Sequence, residues 1–184
     1  METIAVYWEP IIRTYGFQVQ QGLLWHPLRI PLCLLGAWAR RLQEMDVADM
    51  AFRMVWAQVE DSDHLKVTLV CEAGDWERVR RHWRSPEGGD DNGRIASGMP
   101  VDLVFFHGPH FGDRYGIMDF TYKALAREKV PLVAAVCSAA TIYLVLPAGM
   151  GPDTRTLLSG AFEIPTTVPG ARRNKASADG DGRS

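Results

Sequence analysis

A polar segment in the middle of the chain, residues 85–100 (SPEGGDDNGRIASGMP), sets the strongest limit on what this sequence can fold into. It contains four glycines, two prolines and the acidic pair Asp90-Asp91, so it offers almost no apolar surface to bury. Such a composition is typical of a linker or a long surface loop. We therefore predict two units, at residues 1–84 and 101–168, followed by a disordered polar tail at 169–184.

The second unit carries the clearer pattern of secondary structure. Its first apolar stretch, VDLVFFH, suits a strand with one face more buried than the other, and a glycine-rich loop follows it. Beyond the loop, apolar residues recur with the spacing of an amphipathic helix. The predicted elements are a strand at 101–107, a helix from Ile117, antiparallel strands at 132–137 and 141–146, a helix through Thr154–Phe162 and a short closing strand at Phe162–Pro165.

The first unit repeats that order less cleanly. The sequence predicts strands in TIAVYW and IIRTYGFQVQ, a loop in GLLWHPLRIP, a helix through Leu35–Met45, a hairpin about Asp61-Ser62-Asp63 and a short helix through Trp76–Trp83. Two units with one order of elements indicate a tandem repeat. Strand–helix–strand–strand–helix–strand is the ferredoxin-like order. The predicted class is therefore α+β, with two ferredoxin-like βαββαβ units in tandem.

The composition excludes several classes of protein. The formal net charge is −2, whereas a nucleic-acid binder needs concentrated basic charge. The cysteines Cys33, Cys71 and Cys137 are too few and too scattered for a disulfide framework, and no C-x-x-C pair indicates zinc. The first residues lack an export signal, and no stretch reaches the roughly 18 apolar residues of a membrane span. We expect a cytoplasmic globular protein without a nucleic-acid or membrane partner.

Three features of the second unit carry a family resemblance. Its first strand ends at His107-Gly108, Gly116 opens the following helix, and a short hairpin at Cys137-Ser138-Ala139 leads into an apolar strand. In these features residues 101–164 resemble an ACT domain from the regulatory half of aspartokinases, while the first unit fits an ACT-like domain only by its order of elements. The Lys-Phe-Gly-Gly-type opening of the kinase domain is absent from the sequence. We therefore expect a protein that is not an enzyme.

The resemblance implies an allosteric regulatory protein that binds a small effector, usually an amino acid, and acts on a partner enzyme or pathway without a cofactor. It places the effector between the loop after the first strand and the second strand of a paired domain. The ligand-binding residues that it implies are His107, Gly108, His110, Phe111, Gly112, Asp113, Arg114, Tyr115, Gly116, Ile117, Val136, Cys137 and Ser138. Because ferredoxin-like sheets leave edge strands that need cover, we expect a homodimer through the second unit.

The loop also has suitable chemistry when it is considered residue by residue. Glycines at 108, 112 and 116 allow backbone N–H groups to approach a carboxylate, and the start of a helix favours negative charge. Asp113 can accept from an ammonium group, and Arg114 can bind a carboxylate with two parallel hydrogen bonds. These residue types favour an amino acid or a related carboxylate as the ligand.

Two other function classes remain open from the sequence. His107-x-x-His110-x-x-Asp113 has the ligand types of an open metal site, although an irregular loop does not fix a common face for them. Cys137 can serve as a nucleophile with either histidine as its base, although such a cysteine is more often a buried packing residue. Either arrangement would make the protein a small enzyme. The remaining alternative is an oligomerisation module that binds no ligand.

Overall fold

The computed structural model describes residues 12–47, 51–82, 98–109, 111–112, 115–138 and 140–162. Short 3₁₀ turns at Leu32–Leu34 and Ala73–Asp75 precede the first two helices. In chain order the elements are β1 (Phe17–Pro31), α1 (Leu35–Val47), β2 (Phe52–Val59), β3 (His64–Glu72), α2 (Trp76–His82), β4 (Met99–His107), α3 (Ile117–Arg127), β5 (Ala134–Ser138), β6 (Thr141–Pro147) and α4 (Gly151–Ala161).

The described strands form a single antiparallel sheet with the order β2-β3-β1-β4-β6-β5. The first ferredoxin-like unit is complete, because β4 lies beside β1 as its fourth strand. The second unit begins with the same β4, and β1 occupies the position beside it that a fourth strand takes in this fold. The predicted fold class is confirmed. The two units are joined edge to edge and share β1 and β4 as central strands.

The predicted loop GLLWHPLRIP is wrong, because these residues form the second half of β1. Leu23 and Trp25 are buried on one face of the sheet, while Leu28 and Ile30 are buried on the other. A strand that is covered on both faces does not show a simple alternation of apolar and polar residues. Proline has no backbone N–H to donate to a neighbouring strand. Pro27 is tolerated because the pairing of β1 with β4 ends at Trp25, so on that side of β1 position 27 has no partner strand among the described residues.

All four described helices lie on one face of the sheet. Antiparallel partners direct their side chains to the same face, and Leu24 is the partner of both Cys71 on β3 and Pro100 on β4. Cys71 and Leu69 pack with α1 and α2, while Val104, on the same face of β4 as Pro100, packs with α3 and α4. The opposite face carries a third buried cluster, which includes Leu23, Trp25, Val70, Val101, Leu103 and Val145.

A β-bulge interrupts β1 at the point where the sheet passes from one unit to the other. Gln20 pairs with Leu103 and Leu23 pairs with Val101, so two residues, Gln21 and Gly22, lie opposite Asp102. Gly22 has a φ of 73°, a backbone conformation that is costly for residues with a side chain and that glycine adopts readily. The extra residue lets both halves of β1 direct apolar side chains towards the helices.

In both units a buried polar residue on a central strand contacts the first residue of the second helix. In the first unit His26 stacks on Trp76, with ring centroids 3.2 Å apart and planes 8° apart. In the second unit the Asp102 Oδ2 atom accepts a hydrogen bond from the backbone N–H of Gly151 at 2.8 Å. At the start of its second helix, the first unit therefore has a ring-stacking contact and the second unit has a hydrogen bond.

The predicted boundaries of the domains remain predictions. Most of the predicted linker, the closing strand beyond Phe162 and the tail at 169–184 lie outside the described residues, as do residues 1–11. Among the described helices, none has the length and apolar character needed to cross a membrane.

Candidate functional site

The predicted loop leaves the sheet at His107, the last residue of β4. His107 pairs with Thr141 on β6, and Thr141 pairs in turn with Ser138, the last residue of β5. The loop and the end of β5 therefore lie at the same end of the sheet. Since neighbouring strands are about 4.8 Å apart, the Cα atoms of His107 and Ser138 are roughly 10 Å apart.

The first residue of the loop, Gly108, packs against the backbone of the segment before β1. A Cβ atom at Gly108 would lie 2.3 Å from the carbonyl oxygen of Arg13 and 2.4 Å from the ring of Phe111. Phe111 is buried and contacts Phe106 edge to face, with centroids 5.9 Å apart. The close approach that requires glycine at position 108 is therefore made by the segment before β1. With its side chain in the core, Phe111 can offer a ligand only its backbone.

The far end of the loop is shaped by Gly116, which opens α3 as predicted. Its φ is 84°, and its carbonyl oxygen accepts from the backbone N–H of Phe120 at 2.9 Å. Ile117 follows with its side chain buried under the helix, and the Thr121 hydroxyl donates to the carbonyl oxygen of Ile117 at 2.7 Å. Gly116 therefore sets the direction in which α3 leaves the loop.

Exposed aromatic and imidazole side chains surround the mouth of the loop. His107 is exposed, and the centroid of its ring lies 5.3 Å from that of Tyr15. The Tyr15 backbone N–H also donates to the carbonyl oxygen of His107 at 2.9 Å. Tyr115, in the loop itself, is 77% exposed. Sequence reasoning missed Arg13 and Tyr15. Their position depends on the pairing of β1 with β4, which joins the two units and was not predicted from the sequence.

The three charged candidates of the loop, His110, Asp113 and Arg114, lie outside the described residues. Gly112 is exposed, and a Cβ there would meet open space. In the described part of the chain, no three His, Cys, Asp or Glu side chains are close enough to share a metal ion. Because two of the three proposed metal ligands are outside that part, the metal alternative remains a prediction.

The second candidate segment, Val136 to Ser138, lies on β5, the edge strand of the sheet formed by the described strands. Val136 is half-buried, whereas Cys137 and Ser138 are exposed. Cys137 pairs with Ile142 and so faces the helices, while His107 pairs with Thr141 and faces the opposite side. This geometry argues against His107 as the base of a Cys137 nucleophile within one chain.

The cysteines differ in their expected reactivity. Burial raises the pKa of Cys71 to about 11, with the carboxylates of Asp75 and Glu72 adding to the effect. Cys33 and Cys137 are exposed, and all three thiols are free. Because the thiolate is the reactive form, we expect iodoacetamide to label two cysteines per native chain at pH 8 and a third only in denaturant. The Cys137→Ser variant should lose one native label, and mass spectrometry showing rapid labelling of Cys71 would contradict this prediction.

Comparisons with sequence families and with curated proteins find no match. Solved structures do match. The regulatory subunit of aspartate kinase from Thermus thermophilus, in its ligand-free form, has a TM-score of 0.63 at 15% identity, covering 82% of this chain and 99% of that one. The regulatory subunit from Thermus flavus gives 0.64 at 14% identity, covering 82% and 99%.

The aspartate kinase from Synechocystis gives a TM-score of 0.67 at 15% identity, covering 88% of this chain but only 29% of the kinase. At these identities the likeness is one of fold. The described chain has the tandem fold of the aspartokinase regulatory subunits, as the resemblance in the sequence predicted.

Proposed function

We propose that this protein is a cytoplasmic, non-catalytic regulatory protein that binds an amino acid or a related small carboxylate and acts on a partner enzyme or pathway. The observation that carries the proposal is the glycine-containing loop from Gly108 to Gly116. Its first residue, Gly108, packs closely against the Arg13 carbonyl group, and its last residue, Gly116, opens α3. Between them Gly112 is exposed, so its backbone is accessible. Backbone N–H groups in such a loop are suited to bind a carboxylate.

A comparison of the two units favours the loop of the second unit over that of the first as the effector site. Between β4 and α3 the connection runs from Gly108 to Gly116, whereas between β1 and α1 it consists of Leu32–Leu34. That shorter connection contains no glycine and forms a 3₁₀ turn, so it has little free backbone to offer a ligand. We therefore assign the effector site to the second unit.

A second copy of the chain would complete the site. Within one chain the segment Val136–Ser138 is separated from His107 by the whole width of β6. Among the described strands β5 is the last of the sheet, which leaves its outer edge available for pairing with a second copy. A homodimer joined through the second unit would bring β5 of one copy towards the loop of the other.

The exposed edge strand β2 favours a second candidate function, that of an oligomerisation module without a ligand. Val55 and Val59 on this strand are 45% and 76% exposed. They lie on the helix side of the edge, where Ala57 separates them. Aliphatic side chains along an unpaired edge favour association with another strand.

A thermal-shift screen tests the proposal. The probes are the twenty amino acids and the common dicarboxylates. A ligand at one hundred times its Kd should add about 2.7 kcal/mol to the free energy of unfolding. For a chain of this size that corresponds to a rise in Tm of roughly 5–10 °C.

Matched aspartate variants distinguish the loop from the rest of the surface. Asp113→Ala should abolish the shift and leave the ligand-free Tm nearly unchanged. Asp119→Ala, which removes an exposed partner of Lys123 on α3, should keep the full response. The proposal is wrong if no probe raises the Tm or if Asp113→Ala responds like the parent protein. Stoichiometric zinc that disappears in His107→Ala would instead favour the metal alternative.

A further inference from the structure

A groove of about 450 Å³ lies on the helix side of the sheet, between β1 and α4. It is lined by Val19, Gln21, Pro152, Arg155, Thr156 and Ser159. The four α4 residues recur at the spacing of one helical face. Along β1, Gln21 is six residues beyond Tyr15, or roughly 20 Å, so the groove is distinct from the loop after β4.

The floor of the groove is built by the β-bulge. Gln21 directly precedes the extra residue Gly22, and its Nε2 atom donates to Asp102 Oδ2 at 3.4 Å. The same carboxylate oxygen accepts from Gly151, the first residue of α4. A Cβ at Gly151 would lie 2.7 Å from a methyl carbon of Val19. These contacts hold the start of α4 close against β1, so the width of the groove is fixed by the fold.

The groove presents one cation together with several hydrogen-bond acceptors. In the part of the chain that the structure describes, the Arg155 guanidinium has no hydrogen-bond or ion-pair partner. The Thr156 hydroxyl donates to the Pro152 carbonyl oxygen at 3.1 Å, and the Ser159 hydroxyl donates to that of Arg155 at 2.8 Å. Both hydroxyl oxygens therefore keep only lone pairs for a ligand. With one N–H of Gln21 directed to Asp102, its Oε1 atom is a further acceptor.

From this arrangement we propose that the groove is a second binding site, for a small carboxylate that also carries an ammonium or hydroxyl group. The carboxylate would bind the Arg155 guanidinium with paired hydrogen bonds. The ammonium or hydroxyl group would donate to Ser159, Thr156 or the Gln21 amide oxygen. A ligand held between α4 and β1 would span the junction of the two units, because β1 belongs to both.

Three probes of matched shape test the chemistry of the ligand. L-Alanine, L-lactate and propionate differ only in having an ammonium group, a hydroxyl group or neither. In ¹H–¹⁵N spectra of the full chain, alanine or lactate should shift the amide signals of Gln21, Arg155 and Ser159. Propionate should bind about tenfold more weakly, because it leaves the acceptors unpaired. Equal affinity for all three probes, or no shift in these signals at tens of millimolar, would overturn the proposal.

Variants locate the site and separate it from the loop. Arg155→Gln should weaken binding about tenfold, and Ser159→Ala should weaken it less. Arg127→Gln, which changes an exposed arginine at the end of α3, should have no effect. If Arg155→Gln binds as tightly as the parent protein, the groove is not the site. Shifts confined to the signals of Gly112 and Tyr115 would refute the groove and support the loop, while shifts confined to the groove would do the reverse.

Discussion

Replacing Asp102 with alanine should lower the free energy of unfolding by about 3 kcal/mol, since each buried N–H left without an acceptor costs about 1–3 kcal/mol. The Asp102 side chain is 1% exposed, and its Oδ2 atom accepts from the backbone N–H groups of Gly151 at 2.8 Å and Gly149 at 3.0 Å. The substitution leaves the buried N–H of Gly151 without an acceptor at the start of α4, and it also removes the acceptor of the more exposed Gly149 N–H. Urea denaturation of the full chain measures the loss.

Asp119→Ala is the matched control, because it also removes an aspartate carboxylate. Asp119 is exposed on α3 and forms an ion pair with Lys123 four residues later, at 2.7 Å. An exposed pair of this kind contributes about 0.5 kcal/mol. A loss below about 1 kcal/mol in Asp102→Ala, or similar losses in the two variants, would show that this carboxylate does not hold α4 to the sheet.

Gly108→Ala should lower the free energy of unfolding by about 2–3 kcal/mol, the cost of forcing extra volume into a packed site. The new Cβ would lie 2.3 Å from the Arg13 carbonyl oxygen. That oxygen belongs to the backbone and cannot rotate away, so the segment before β1 must move from the end of β4. Thermal and urea denaturation measure the change, and the Tyr15–His107 contact should be lost with it.

Gly112→Ala is the control for this prediction within the same loop. A Cβ at Gly112 has no heavy atom within 4 Å. The substitution should be neutral or raise the stability by about 0.5 kcal/mol, because alanine reduces the entropy of the unfolded chain. If the two glycine variants have equal stability, the Arg13 segment does not pack on Gly108 in solution.

The sequence predicted most of the second unit because its elements carry local patterns. The apolar stripe beginning at Ile117 and the small-residue turn after Ser138 are short-range signals, and the structure has α3 and the β5–β6 hairpin at those places. The second half of β1 was missed for a physical reason. Its residues are buried on both faces, and Pro27 interrupts the strand pattern without ending the strand.

Long-range contacts could not be predicted in the same way. Asp102 looks like an ordinary polar residue of a half-exposed strand, because the N–H groups that it accepts from are 47 and 49 residues away. The position of Arg13 beside Gly108 likewise depends on β1 and β4 being neighbours. The candidate loop was therefore found from its glycines, whereas the Arg13 segment that packs against Gly108 became visible only in the structure.

The two strands shared between the units affect how the protein unfolds. Neither unit has a complete sheet without a strand that the other also uses, so separating them would expose the long ladder between β1 and β4. The chain should therefore lose its structure in one cooperative transition rather than one unit at a time. A ligand at either end of the sheet then protects both units from local opening. Binding in one unit can therefore change the stability of the other.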